Sequence, residues 1–281
     1  MKQALSVDSI IEYALIEDIG NGDHTSQSTI PFTNTGRAHL LVKQEGILSG
    51  LEVAQKVFDR VDPSIKMSIF LEDGCKIVPG DIAFEVFGPS QSILKAERLV
   101  LNFMQRMSGI ATTTSHYVSK IRDLNTKILD TRKTTPLLRE LEKKAVIHGG
   151  GYNHRFGLYD MILIKDNHVD FAGGIEKAIV SVNKYLENKK LDLKIEIEVR
   201  NFNELKQVLE LGGINRIMLD NYSVDDLRKA VKMIGGRYES EASGGINLET
   251  VRSVAETGVD YISIGALTHQ IRSIDLSLKA F

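Results

Sequence analysis

Cysteine is scarce in this sequence, which contains Cys75 and no other. An intrachain disulfide and a structural zinc site built from cysteine pairs are therefore excluded. A reducing interior is the simplest setting for such a chain, so we expect a cytoplasmic protein.

An excess of one charge is also missing. The 281 residues include 35 Lys and Arg and 37 Asp and Glu, which gives a formal net charge of −2. Proteins built around a nucleic-acid footprint usually carry a basic excess, so the balance argues against that class. A local basic site is still compatible with this balanced net charge.

Long apolar runs are absent as well. Acidic residues interrupt the N-terminal segment MKQALSVDSIIEYALIED, and no later run reaches the ~18 to 20 apolar residues that a membrane span needs. We therefore expect neither a signal peptide nor a transmembrane helix. The 42% hydrophobic and 26% charged content is near the globular average, which excludes a disordered, collagen-like or coiled-coil chain.

The N-terminal part of the chain predicts a small mixed domain. Apolar residues such as Ile11 and Leu15 lie at helical spacing near the start, and strands are predicted at RAHLLVK, IKMSIFL and DIAFEVFG. A long helical pattern then runs from Ser90 to about Leu124. We interpret this helix as the connection between two domains.

From residue 126 onward, short apolar runs alternate with amphipathic helical segments, which predicts βα units and a parallel sheet. The six predicted strands are TKILD, MILIK, IEIEV, RIMLD, YESEAS and DYISIG. The fifth has the poorest strand composition and is kept for its alternation and its place in the repeat. The repeat favours an α/β barrel.

Chemically active residues follow the predicted strands at their C-terminal ends. In α/β barrels the active site gathers at this edge, and a phosphate site often forms from the loops after the last two strands. In strand order the residues are Asp130, Thr131, Arg132 and Lys133; Lys165, Asp166, Asn167 and His168; Glu198; Asp220 and Asn221; Ser243, Gly244 and Gly245; and Gly265.

Two glycine turns, in SGGI and IGA, are candidates for holding a phosphate through backbone N–H groups. Each is equally compatible with a tight turn alone. Glu198 and Asp220 end neighbouring strands, where carboxylates can bind ribose hydroxyls or Mg²⁺. The alternative for these two is a structural role.

A set of basic residues is the sharpest feature of the sequence. Several cations converge on two strand-end segments, and such crowding requires an anion to neutralise it. The set consists of Arg132, Lys133, Arg139, His154, Arg155 and Lys165. We therefore expect a substrate with several negative charges, although any one of these residues could be a solvated or helix-capping cation.

Lys165 also permits a Schiff-base aldolase, because a desolvated lysine can act as a nucleophile. Its neighbour Asp166 makes a protonated, ion-paired lysine an equal alternative. The histidines His148, His154 and His168 show no metal spacing. We interpret them as hydrogen-bonding or packing residues, with ligand contact as a second possibility for His154.

These motifs together resemble a known family. The segments DTRKTTP, GGGYNHRFGLYDMILIKDNH, IEIEV, IMLDN and SGGI, with EDIGNGDHTS, AERLVLN and SGIATTT upstream, closely resemble nicotinate-nucleotide pyrophosphorylase (carboxylating), also called quinolinate phosphoribosyltransferase. The match is collinear over nearly the whole chain. It departs at Leu137, where the family commonly has Gly.

The resemblance implies an α/β fold with two domains. Residues 1–110 would form an N-terminal open-faced α/β sandwich, and residues 111–269 an incomplete α/β barrel of six to seven strands, of the type II phosphoribosyltransferase kind. Residues 270–281 are expected to pack back on the sandwich. The family forms homodimers or higher homo-oligomers in which one subunit's N-terminal domain covers the other's barrel.

The implied reaction converts quinolinate and 5-phosphoribosyl 1-diphosphate to nicotinate mononucleotide, CO₂ and diphosphate with Mg²⁺, a step of de novo NAD biosynthesis. Lys133, Lys165, Glu198 and Asp220 are implied to be catalytic. Glu198 and Asp220 would also hold Mg²⁺, partly through substrate phosphates. The residues implied to bind substrate are Arg98 from the neighbouring subunit, Thr131, Arg132, Lys133, His154, Arg155, Lys165, Glu198, Asp220, Ser243, Gly244, Gly245, Ile264, Gly265 and Ala266.

Other assignments stay open at this level. One is a related phosphoribosyltransferase-like protein with another acceptor, such as the paralogue associated with molybdenum transport. Another is a different phosphate-binding barrel, either a Schiff-base aldolase or an isomerase, and a third is a non-enzymatic ligand-binding barrel. The complete cationic set favours quinolinate, since an aldolase would not need Arg98, Arg132 and Arg155 together.

Overall fold

The computed structural model describes residues 6–281, and residues 1–5, which begin the predicted N-terminal domain, lie outside the described part. The helices are α1 (Val7–Ile19), α2 (His24–Thr29), α3 (Leu51–Val61), α4 (Ser90–Lys120), α5 (Arg139–His148), α6 (Asp166–Ala172), α7 (Ile175–Lys189), α8 (Phe202–Leu211), α9 (Val224–Ile234), α10 (Val251–Ala255) and α11 (Ala266–His269). The strands are β1 (Thr35–Val42), β2 (Gly46–Ile47), β3 (Lys66–Ile69), β4 (Lys76–Ile77), β5 (Ile82–Pro89), β6 (Lys127–Leu129), β7 (Ile162–Ile164), β8 (Ile195–Val199), β9 (Arg216–Asp220), β10 (Glu239–Ser243), β11 (Tyr261–Ser263) and β12 (Leu276–Ala280).

The chain divides into two compact units. The first unit contains the chain up to Ser115, together with Thr134–Gly150 and Leu267–Phe281, and the second unit contains His116–Lys133 and Gly151–Ala266. Within residues 6–281, no helix is both long and apolar enough to cross a membrane.

Residues 134–150, which the sequence analysis grouped with the barrel, belong to the first unit. The reason lies in the packing of α5 against α4. Arg106 on α4 donates from Nε to the buried Glu142 on α5 at 2.8 Å. A Cβ added to Gly149 would lie 2.4 Å from the carbonyl oxygen of Ala111, so the end of α5 also fits closely against α4.

The first unit is built on an antiparallel sheet in the order β12-β1-β5-β3. One face is covered by helices, with the ring of Phe58 on α3 meeting that of Phe84 on β5 edge-on at 6.0 Å. The opposite face carries Phe87, an apolar residue that is about half exposed within the chain. This arrangement confirms the predicted open-faced sandwich, and β12, from the C-terminal segment, forms one of its strands.

The second unit contains a parallel sheet in the order β6-β11-β10-β9-β8-β7. All six predicted strands form, and β10, whose composition was the poorest, lies between β9 and β11. Tyr152 adds a single parallel bridge to Leu129 beside β6. In the described chain β6 and β7 are the two ends of the sheet, which confirms an incomplete barrel.

One face of these strands carries polar residues in successive layers. Because side chains alternate along a strand, residues two apart share a face. That face includes Glu196 and Glu198 on β8; Arg216, Met218 and Asp220 on β9; and Glu239, Glu241 and Ser243 on β10. The last member of each series lies at the C-terminal end of its strand or next to it, where the predicted active site is located.

Candidate active site

The C-terminal edge of the parallel sheet brings three of the predicted catalytic residues, Lys165, Glu198 and Asp220, to neighbouring strands. Asp220 pairs in register with Ser243, and Glu198 pairs with Met218, two residues before Asp220. Lys165 follows β7, which lies beside β8. The strand-end positions predicted from the sequence are therefore neighbours.

Lys165 forms an ion pair with Glu198, with Nζ 3.4 Å from Oε2. The sequence analysis named Asp166 as its partner, but the strand register favours Glu198. Burial raises the pKa of Glu198, and nearby Asp220 adds to that rise, while Lys165 opposes both. The lysine head is half exposed, so it remains accessible to a ligand.

Two arginines lie close together near this edge. Burial lowers the pKa of Arg155, and the positive charge of Arg132 lowers it further. The backbone holds Arg155 in place, because its Nη1 donates to the carbonyl of Met161 at 3.1 Å. Arginines whose positive charges act on each other favour a bound anion, and their planar donors suit carboxylates or phosphates.

The turn after β6 carries Arg132 and Lys133. Thr131 stabilises this turn, since its hydroxyl oxygen accepts a hydrogen bond from the backbone N–H of Lys133 at 3.0 Å. Asp130 is fully buried and accepts from the backbone N–H of His154 at 2.9 Å. The two basic segments of the sequence, one containing Arg132 and the other Arg155, are thus joined by a direct hydrogen bond.

His154 points into a buried cluster of charges. Its Nε2 atom lies 3.0 Å from Glu196 Oε2 and 3.5 Å from Glu241 Oε2, and both glutamates are fully buried. Burial lowers the pKa of His154, but the two carboxylates outweigh it and raise that pKa to about 9. The backbone N–H of Arg155 donates to Nδ1 at 2.7 Å and needs an unprotonated atom there, so this hydrogen bond opposes the rise in pKa and favours the neutral ring with its proton at Nε2, toward the carboxylates.

This cluster has the donor types of a metal site, because one donor atom from each of His154, Glu196 and Glu241 lies within 4.8 Å of the others. Arg216, however, places Nη1 3.1 Å from Glu241 Oε2. A cation already in contact with the carboxylates disfavours a second cation beside them. We interpret the cluster as an ion network that holds the segment bearing Arg155.

The glycine turn after β10 has the backbone needed for a tight reversal. Gly244 and Gly245 have φ angles of 103° and 61°, a region that favours glycine. Helix α10 begins at Val251, and Asn247 caps the turn before it, since its Oδ1 accepts from the backbone N–H groups of Glu249 at 2.9 Å and Thr250 at 3.1 Å.

The second predicted phosphate segment follows β11. Ile264 is buried, and its N–H donates to the carbonyl of Leu129 on β6 at 2.9 Å. Gly265 comes next, and Ala266 begins α11. Both predicted phosphate segments therefore leave the same edge of the sheet, after neighbouring strands.

Arg98 and Arg139 lie in the first unit, whereas the other predicted site residues lie in the second. Arg98 is exposed on α4. Arg139 begins α5, and its Nε donates to Thr134 Oγ1 at 3.1 Å. The second unit alone thus assembles the strand-end site without these two arginines.

Leu137, the departure from the family pattern, adopts a φ of 68° and is 67% exposed. It follows Pro136 in a turn closed by the N–H of Leu138 donating to the carbonyl of Thr135 at 3.1 Å. A positive φ at the third position, after Pro at the second, is the pattern of a type II turn, which prefers Gly there. This explains the family's glycine, and the leucine occupies a conformation that its side chain disfavours.

The sequence analysis missed Glu196, Glu241 and Arg216. A signal for two of them was present, since IEIEV and YESEAS carry acids at alternate positions and so on a single strand face. These acids lie one layer further in than the strand ends, where the charged residues of the sequence pointed to an active site.

Comparison with known proteins agrees with this geometry. The family model described as "Quinolinate phosphoribosyl transferase, N-terminal domain" matches residues 23–108, and that described as "Quinolinate phosphoribosyl transferase, C-terminal domain" matches residues 110–279.

Individual proteins give the same result. The chain is 47% identical over 285 residues to quinolinate phosphoribosyltransferase (decarboxylating) 1b of Nicotiana tabacum, covering 96% of this chain and 81% of that protein. It is 40% identical over 274 residues to the probable nicotinate-nucleotide pyrophosphorylase (carboxylating) of Bacillus subtilis, covering 98% and 93%. The solved nicotinate-nucleotide pyrophosphorylase of Francisella tularensis matches with a TM-score of 0.92 and 39% identity, covering 100% of both chains. This chain belongs to the quinolinate phosphoribosyltransferase family.

Proposed function

We propose that this protein transfers the phosphoribosyl group of 5-phosphoribosyl 1-diphosphate to quinolinate, with loss of CO₂, to form nicotinate mononucleotide and diphosphate. The observation that supports this most directly is the ion pair of Lys165 with Glu198 at the strand ends, in the same unit as Arg132 and Arg155, whose positive charges act on each other. Two guanidinium groups and an ammonium group suit a dicarboxylate.

In this proposal Arg132, Arg155 and Lys165 bind the carboxylates of quinolinate, and Lys133 lies between the acid and the phosphates. Lys165 exchanges Glu198 for the substrate, which its half-exposed position permits. His154 contributes by holding the Arg155 backbone. Thr131 shapes the turn, and Ser243, Gly244, Gly245, Ile264, Gly265 and Ala266 surround the 5-phosphate.

The reaction proceeds by displacement at the anomeric carbon. The pyridine nitrogen forms the new bond to that carbon as the bond to diphosphate breaks, and Glu198 and Asp220 stabilise the positive charge that develops on the ribose. The ring nitrogen is then cationic, so the C2–carboxylate bond breaks with its electron pair drawn toward the ring. CO₂ leaves, and a proton from solvent takes its place at C2.

Mg²⁺ fits the residues at the strand ends. Glu198 and Asp220 supply carboxylate oxygens, which this ion prefers, and the glutamate's present partner is a displaceable lysine. When bound, the ion would neutralise part of the negative charge of the diphosphate. Lys133 and Lys165 contribute positive charge to the same region, and no organic cofactor is required.

Arg98 completes the site from a second copy of the chain. The cationic residues of the second unit do not include it, and its exposure on α4 leaves it available to a neighbour. We therefore propose a homodimer, or a higher homo-oligomer, with shared active sites. A cytoplasmic location remains a prediction from the single cysteine.

A Schiff-base aldolase is an alternative function on which the contact of Lys165 with Glu198 bears. Such an enzyme needs a lysine amine that is free to attack a carbonyl carbon, whereas Lys165 Nζ lies 3.4 Å from Glu198 Oε2 in an ion pair. The geometry therefore favours an anion-binding role for this lysine.

The test is to incubate the purified protein with quinolinate, phosphoribosyl diphosphate and Mg²⁺. Nicotinate mononucleotide and CO₂ should form in equal amounts, and only with Mg²⁺ or a similar divalent ion. Nicotinate, which lacks the C2 carboxylate, is the matched control substrate. Equal use of nicotinate would contradict the proposed substrate.

A further inference from the structure

Asn221 follows Asp220 at the end of β9 and adopts the left-handed backbone conformation, with a φ of 55°. This conformation is uncommon for residues other than Gly, although Asn tolerates it better than most. In the described part of the chain, the other non-glycine residues with positive φ are Leu137 and Lys190. The backbone at Asn221 therefore adopts an unusual conformation at the strand-end site.

Asn221 makes two hydrogen bonds that hold different parts of that site. Its side-chain Nδ2 donates to Asp220 Oδ2 at 2.7 Å. Its backbone N–H donates to the carbonyl of Ser243 at 2.8 Å. Asn221 thus orients the Asp220 carboxylate at the end of β9 and anchors the start of the turn after β10.

Gly244 leaves the space that the Asn221 amide occupies. A Cβ built on Gly244 would lie 2.2 Å from Asn221 Oδ1 and 2.6 Å from its Cγ, which real Cβ atoms do not tolerate. Gly244 also has a φ of 103°, so it is required for conformation as well as for space. The glycine turn is therefore built around the amide of the neighbouring strand end.

We propose that Asn221 is a positioning residue that sets the spacing between the Asp220 carboxylate and the glycine turn. This inference rests on the proposed function, in which Asp220 binds the ribose and the turn binds the 5-phosphate of the same molecule. The spacing between the two groups then matches the distance between the ribose and the phosphate of phosphoribosyl diphosphate. Quinolinate makes no contact that depends on it.

The first test replaces Asn221 by Gly, which keeps the backbone conformation and the N–H donor but removes the amide. The affinity for phosphoribosyl diphosphate, measured by calorimetry without quinolinate, should fall about tenfold, the usual effect of losing a hydrogen bond to a charged group. KM for phosphoribosyl diphosphate should rise in parallel, while KM for quinolinate stays unchanged. Asn221→Asp should have a larger effect, because it puts a second carboxylate beside Asp220.

The control variant is Lys190→Gly. Lys190 also has a positive φ, of 52°, but it follows the last residue of α7 and is exposed. It should leave both KM values at the wild-type level. An Asn221→Gly variant with wild-type affinity for phosphoribosyl diphosphate, or with equal rises in both KM values, would overturn the positioning role.

The second test is a double-mutant cycle with Gly244→Ala. In the wild-type background the new methyl group collides with the Asn221 amide, whereas in the Asn221→Gly background the backbone strain at position 244 and the 2.9 Å approach to the backbone nitrogen of residue 221 remain. Gly244→Ala should therefore reduce the affinity for phosphoribosyl diphosphate less in the Asn221→Gly background than in the wild-type background. The two reductions should differ by a factor of about three or more, because substitutions of contacting residues are not additive. Additive effects would overturn the proposal.

The cycle can also be measured in thermal unfolding, which requires no substrate. The Tm loss from Gly244→Ala should be smaller in the Asn221→Gly background, and equal losses count against the proposal. An activity assay of the wild-type protein separates the proposed function from the proposed role of Asn221. If the wild-type protein forms no nicotinate mononucleotide, the proposed function alone is contradicted, because the unfolding cycle still tests the contact between Asn221 and Gly244.

Discussion

Two layers of the second unit carry the same residue type on the same strand face but in different surroundings. In the outer layer Glu198 is paired with the half-exposed Lys165 at 3.4 Å. In the inner layer Glu196 and Glu241 are fully buried, with His154 at 3.0 Å from the first.

The comparison shows that position along a strand decides what a carboxylate does. A shift of two residues along β8 moves a glutamate from the edge of the sheet into a closed network. At the edge, the partner can be exchanged for a substrate. In the interior, removing one charge leaves the others without compensation. The outer layer therefore suits chemistry and the inner layer suits support.

The largest expected effect is on the inner layer. Glu241→Ala should lower the free energy of unfolding by about 3 to 5 kcal/mol, because it leaves Arg216 buried without a full set of partners. The matched control is Glu239→Ala on the same strand, since Glu239 also pairs with Arg216 at 2.9 Å but is one-third exposed. It should cost only about 1 kcal/mol or less. Urea unfolding measures both, and equal losses would remove the distinction between the layers.

The next effect is on the outer layer. Glu198→Ala and Asp220→Ala should each lower kcat about 100-fold or more, because each removes an electrostatic contact to charge that develops on the ribose. The free energy of unfolding should change less than it does for Glu241→Ala, because Lys165, the partner of Glu198, is half exposed and Asp220 lies at the end of its strand. Steady-state kinetics and unfolding are measured on the same preparations. Near-normal turnover in both variants would assign these carboxylates a structural role.

The next expected effect concerns Arg98, which we propose reaches the outer layer of another copy of the chain. Arg98→Ala and Lys165→Ala should each be inactive but folded. When the two are mixed and subunits exchange, about one quarter of wild-type activity should return, because one site of each mixed dimer has both residues intact. The control is to mix wild-type protein with either variant and to follow exchange with a label. Demonstrated exchange without recovery would mean that Arg98 acts within its own chain or has no role.

The smallest expected effect lies outside both layers. Leu137→Gly should raise the free energy of unfolding by up to about 1 kcal/mol, because it relieves a leucine held at a φ of 68°. The greater freedom of glycine in the unfolded chain offsets part of this gain. Leu137→Ala retains the positive-φ penalty and is the matched control. Calorimetric Tm values measure both, and a gain from Ala equal to that from Gly would show that the backbone conformation is not the cause.

Much of the fold was predictable because its signals are local. Six apolar runs separated by amphipathic helices predicted the parallel sheet, and all six form strands. Glu198 and Asp220 could be placed at one edge because parallel strands end on the same side. The assignment of α5 to the first unit was not predictable, since it depends on the contact of Glu142 with Arg106 on a distant helix.

The sequence by itself determined the order of the elements, the family, and the strand ends at which charged residues gather. Only the tertiary structure decided that Glu196 and Glu241 meet His154 and that the Asn221 amide fills the space left by Gly244. The physical reason is that periodicity reports which face of an element a side chain occupies. The counter-charge or neighbouring atom that it meets there comes from another strand, through register and close approach.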